Sequence, residues 1–174
     1  MTSAILIDAA RAFAMAMEQY WFSGRRHGDL NFRNVLFDIE SKGISVIDAG
    51  SRQDCRICND STILQSAAAT DLGHLVWELG IEIMDTIKSQ TVRMRKELFV
   101  ETVLLTIIDG RNSGEQKRQF LNEIWNCAQQ HIAELPLPWS LQGVWNRILR
   151  QVARQRIRLI LDRVYSHPNI VPTN

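Results

Sequence analysis

The chain has 174 residues, 45% hydrophobic and 22% charged, and its 20 basic and 19 acidic side chains leave a net charge of +1. That length can bury a core without disulfides or metal, and so near-neutral a chain carries no overall field toward nucleic acid or a membrane. Three cysteines cannot all pair within the chain, and with no export signal the expected compartment is a reducing cytoplasm. Residues 3–21 read as an amphipathic helix, because Leu6, Ala9, Phe13, Met17 and Tyr20 recur at three- and four-residue spacing. Asp8, Arg11 and Glu18 interrupt its apolar character, which excludes a signal peptide, and nowhere is an apolar run long enough to span a bilayer. Ser23-Gly24 ends the pattern, and 27–34 is polar and irregular. Val35-Leu36-Phe37 and Ile44-Ser45-Val46-Ile47 read as two short strands joined by a turn-like insert, hence a small hairpin. Residues 49–66 carry weak periodicity and read as a loop.

From there the pattern is helical. A helix over 67–82 would bury Leu72, Leu75, Val76 and Leu79. The next, over 91–108, is apolar on most sides from Leu98 onward and belongs at the centre of the core. Asp109 to Gly114 is a turn, and 115–132 sets Phe120, Leu121, Ile124, Trp125 and Ala128 on one face. Pro136-Leu137-Pro138 breaks the chain, Ser140 can cap a last helix running to about Tyr165, and the end after His167-Pro168 reads as a frayed tail. The expected class is mostly α with one small β-hairpin, forming one domain over 1–166 (a catalytic half, 1–85, and a helical half, 86–166), then a tail over 167–174.

One segment departs from this pattern: His27-Gly28-Asp29-Leu30-Asn31-Phe32-Arg33-Asn34, followed by the hairpin and by Ile47-Asp48-Ala49-Gly50. Asp29 and Asn34 stand five apart in a polar loop, and a hairpin returning the chain delivers Asp48 beside them. Two carboxylates and one carboxamide oxygen suit a hard cation such as magnesium, which takes one or two carboxylates and leaves other positions to phosphate oxygens. Phosphoryl transfer asks little more than that metal, positioning and a residue to orient the hydroxyl. The plainer reading of the same three residues is turn chemistry flanking a hairpin.

The segment resembles the catalytic loop and metal-binding motif of the protein-kinase-like superfamily, and His-Gly-Asp is similar to its small-molecule branch of aminoglycoside and choline phosphotransferases and lipopolysaccharide sugar kinases. The resemblance covers about residues 1–85 and implies that fold's larger, C-terminal lobe, with the hairpin carrying the catalytic and metal-binding loops. It implies ATP and Mg2+ as cofactors. Asp29 would orient or deprotonate the acceptor hydroxyl, and Asn34 and Asp48 would hold the magnesium. His27 would brace the loop from beneath rather than act as an acid or base. Asp71, in Thr70-Asp71-Leu72-Gly73, would anchor the loop's backbone, although Thr70 or Asp71 can equally be read as a helix cap. The implied function is transfer of the γ-phosphoryl group of ATP to a hydroxyl of a small molecule or sugar.

Two departures qualify it. Asp48-Ala49-Gly50 stands where Asp-Phe-Gly is usual. Only 26 residues precede His27, and Gly110 and Gly143 are isolated, so there is no Gly-rich phosphate loop and no room for a nucleotide-gripping lobe. A fragment of a longer protein, or a subunit whose lobe a partner chain supplies, is one expectation, and a non-catalytic binding or scaffold module is the alternative. Cys55-x-x-Cys58 invites a zinc reading, but only Cys127 and His131 stand as loose complements, so reduced cysteines are expected. Trp77, Trp125 and Trp145 fall on apolar faces and read as core. Arg147, Arg150, Arg154 and Arg158 make one side of the last helix basic, which reads as a solvated face or as a contact for an anion or partner.

Overall fold

Residues 3–22 form the first helix because Thr2 caps it, its hydroxyl accepting the Ile5 amide, and because Leu6, Ala9, Phe13, Met17 and Trp21 share the face that is buried. In this computed structural model residues 2–38, 40–41, 43–48, 61–81, 90–111, 113–134 and 142–167 are described, with side chains at all of them except 61–64 and 142–146. The chain runs as α1 (Ser3–Phe22), a 3₁₀ turn (Phe32–Asn34), β1 (Val35–Phe37), β2 (Ile44–Val46), α2 (Ser61–Ile81), α3 (Gln90–Asp109), α4 (Gly114–Glu134) and α5 (Gln142–Tyr165). It is mostly helical, with one two-stranded antiparallel sheet in which Val35 pairs with Val46, Leu36 with Ser45 and Phe37 with Ile44.

Two helix pairs build the core. α1 packs mainly along α3, and α2 mainly along α4, with α5 closing against α2 and α4. α3 buries the stripe of Phe99, Val100, Val103, Leu104, Ile107 and Ile108, but Leu98 and Leu105 are only partly buried, and the helix that meets all four others is α2, not α3 as its apolar run predicts. α2 and α4 approach closely at Gly73, where a Cβ would stand 2.6 Å from the Cβ of Cys127 on α4. Only the missing side chain lets the two backbones lie this near. Along α5, Arg156 and Arg163 form ion pairs to Glu97 and Glu101 of α3, a tie that charge patterning alone did not suggest.

Several expectations change. α2 begins at Ser61, six residues before the predicted start, so 61–66 is helix and not loop. That placement puts Asp71 in mid-helix, which removes the capping reading for both Thr70 and Asp71. The basic side of α5 is not simply solvated: Arg154 donates to the Gln129 side chain and Arg150 to the Ala133 carbonyl, both on α4. Arg158 lines a groove of about 270 Å³ between α4 and α5 with Arg118, Trp125 and Tyr165. Trp77 and Trp125 are partly buried against the core, while the Trp145 side chain, Cys55, Cys58 and the tail from Pro168 lie outside what is described. Among the described residues no helix is long and apolar enough to cross a membrane.

Candidate active site

The polar loop between α1 and β1 is held from below by one carboxylate. Asp71, 1% exposed, accepts the His27 amide (2.8 Å) and the Trp21 indole N–H (2.9 Å) on one oxygen and the Gly28 amide (2.9 Å) on the other. A carboxylate has acceptor sites to spare, so one buried side chain satisfies three donors from two chain segments. Gly28 adopts φ +81°, a left-handed conformation that a Cβ penalises. The turn there lets two successive amides face the same carboxylate.

His27 joins the loop to the hairpin. Its ring is buried, Nδ1 accepts the Asp29 amide at 3.3 Å, and Nε2 lies 3.0 Å from the Ile47 carbonyl. Since Nδ1 accepts, the ring proton belongs on Nε2, which donates to Ile47. Asn34, also buried, donates its Nδ2 to the Asp29 carbonyl at 2.9 Å, and its own carbonyl accepts the Ile47 amide at 2.9 Å. Asn31 caps the 3₁₀ turn by accepting the Arg33 amide, and the Phe32 amide donates to Glu78 of α2 at 2.7 Å. Lys96 stands over the Phe32 ring, 4.3 Å from its centroid.

His27, Asp29, Asn34, Ile47 and Asp71 therefore belong to one hydrogen-bonded set, and Asp48 follows Ile47 directly. Asp48 is exposed at the end of β2, with φ +58°. For a residue other than glycine that region is sparsely populated, and such conformations gather at functional sites. The Asn34 side-chain nitrogen is committed to the Asp29 carbonyl, which leaves its oxygen as the free end of the carboxamide, and the Asp48 carboxylate is exposed. Among the described residues no three His, Cys, Asp or Glu side chains converge on one point. One carboxylate and one carboxamide leave most of a magnesium ion's positions to water and phosphate oxygens.

Three contacts went unread in the sequence. Trp21 is not only core but a donor to Asp71. Glu78 reaches back to the loop. His74, one helical turn after Asp71, places Nδ1 3.6 Å from Asp29 Oδ1. Burial pushes the His74 imidazole below the ordinary histidine range, His131 adds to that, and Asp29 and Asp71 oppose it. The three- to four-residue spacing of Asp71, His74 and Glu78 was the available signal, since it sets them on one side of α2. No family model, curated protein or solved structure matches the chain, and the site is read from its own geometry.

Proposed function

We propose that the chain is a magnesium- and ATP-dependent phosphotransferase built on a kinase-like large lobe, acting on a hydroxyl of a small molecule or sugar. The observation that carries this is the linkage of the Asp29 loop to the Asp48 strand end through Asn34 and His27. A hairpin with decorative turns has no need of two buried polar side chains bridging its flanks. The left-handed Asp48 at that junction and the His-Gly-Asp resemblance support the same reading.

In this mechanism the acceptor hydroxyl lies against the Asp29 carboxylate, which orients it and receives its proton as the oxygen bonds to the γ-phosphorus. The bond from that phosphorus to the bridging oxygen breaks, and ADP leaves with the electron pair. Asn34 Oδ1 and the Asp48 carboxylate would hold Mg2+, which when bound neutralises phosphate charge. His27, Asn34 and Asp71 keep the loop in place, so that positioning is established before substrate arrives.

The test is calorimetric titration of ATP into the folded chain, with and without magnesium, alongside Asp48→Asn and Asp29→Asn. Magnesium-dependent binding that Asp48→Asn abolishes, and that Asp29→Asn retains while losing turnover, is the expected result. A folded chain whose ATP affinity ignores both magnesium and Asp48 refutes the proposal. No binding at all also refutes it, in favour of a non-catalytic binding or scaffold module.

A further inference from the structure

Beside Asp29 stands a cluster of rings that the phosphotransfer mechanism above does not use. The close approach of α2 and α4 at Gly73 brings the next residue, His74, onto the facing helix. Its ring stacks on Trp77 with centroids 5.0 Å apart and on His131 of α4 at 4.8 Å, while Trp77 and His131 stand 5.5 Å apart. Three mutually packed rings leave His74 little freedom to turn. Its Nδ1 is buried and has no hydrogen-bond partner, and the Asp29 Oδ1 lies 3.6 Å away. A contraction of about half an ångström would make this an ordinary N–H···O bond. An orphaned buried nitrogen is costly, so that contraction is favoured. Among the described residues the other side-chain donor to Asp29 Oδ1 is Asn31 Nδ2, at a long 3.4 Å.

We propose that His74 is a positioning residue for Asp29, its stacked imidazole donating Nδ1–H to the carboxylate and holding it toward the acceptor hydroxyl, with Trp77 and His131 clamping the ring. The proposal rests on the reading of Asp29 as the hydroxyl-orienting group. Four titratable groups act on His74: Asp29 and His27 from the loop, Asp71 from its own helix and His131 from α4, itself 4.0 Å from Glu134. Burial disfavours the charged ring, and in the neutral ring the proposed bond requires the one proton to sit on Nδ1 and not on the Nε2 that a free side chain prefers.

Imidazole ¹⁵N spectra of the intact chain near about pH 7.5, above the ordinary histidine range, test this directly. The expected result is the Nδ1–H tautomer at His74, reverting toward Nε2–H in Asp29→Ala. A tautomer that is the same in both proteins overturns the proposal. The kinetic arm compares two variants of matched fold, checked by circular dichroism and denaturation midpoint. His74→Phe keeps a ring in the stack without a donor and should lower kcat about tenfold or more with KM for ATP unchanged. His74→Asn, whose carboxamide nitrogen falls near the place of Nδ1, should restore most of that loss. Equal kcat in wild type, His74→Phe and His74→Asn overturns the positioning role. A chain without ATP turnover whose His74 tautomer still follows Asp29 upholds the hydrogen bond and refutes the reaction. An active chain whose tautomer ignores Asp29 refutes the positioning role alone.

Discussion

Replacing Asp71 by alanine would strand three buried donors at once: the amides of His27 and Gly28 and the indole N–H of Trp21. Hydrogen bonds to an ionised acceptor contribute about 1.5–3 kcal/mol each, which sets an upper bound of roughly 9 kcal/mol. Relief from burying the carboxylate and water entering the vacated space offset part of this, and each buried donor left unmet costs about 1–3 kcal/mol. A loss near 4 kcal/mol is the working figure, against a total stability of about 5–15 kcal/mol. With a urea slope of roughly 2 kcal/mol/M, the midpoint should fall by about 2 M at unchanged slope. The assay is equilibrium urea unfolding followed by far-UV circular dichroism. Exchange of the Trp21 indole proton serves as the local probe and should accelerate in the variant. Asp71→Asn keeps one acceptor oxygen but turns an NH₂ toward the donors, and should lose about half as much. A midpoint shift under about 0.5 M for Asp71→Ala would mean that Asp71 does not hold the loop.

Further outcomes follow from the same geometry. Gly73→Ala adds helix propensity worth about 1 kcal/mol, yet its Cβ would meet Cys127 Cβ at 2.6 Å; net destabilisation of about 1–3 kcal/mol is expected, relieved by Cys127→Gly, and thermal melts of the single and double variants decide the sign. Gly28→Ala forces a Cβ into φ +81° and should cost about 1–2 kcal/mol in urea titration, with any ATP turnover falling more steeply than stability. Because the folded-state pKa of His74 is lowered, the unfolded chain takes up a proton first as pH drops below about 6.5, so His74 makes stability fall there until its own folded pKa is reached. His74→Phe should flatten that part of the stability–pH curve, which unfolding midpoints measured from about pH 7.5 down to about 4.5 will show.

Helices with one face toward solvent were readable from spacing alone. The stripe through Leu6, Phe13 and Met17 and the one through Phe120, Ile124 and Ala128 are buried where periodicity placed them. The hairpin was equally legible, because short β-branched and aromatic runs bounded by turn residues have few other solutions. The start of α2 was not legible. That helix meets α1, α3, α4 and α5, and its Ala67-Ala68-Ala69 run is buried throughout, so no polar face marks its period. Of the candidate site, the residue types and spacing of Asp29, Asn34 and Asp48 stood out in the chain, and the resemblance also implied His27 and Asp71 as supports, whereas the contacts of Trp21, Glu78 and His74 did not show.

What the sequence determined by itself was local: which runs become helix or strand, and that a polar loop rich in oxygen donors interrupts them, since both depend on neighbours within a few positions. Tertiary structure alone decided that Trp21 shares the Asp71 carboxylate with the loop amides, and that His74 meets both Asp29 and His131. The stacking of His74 on His131 depends on how near α2 and α4 lie, and at Gly73 that approach requires a missing side chain, a feature whose consequence exists only once the facing helix is in place.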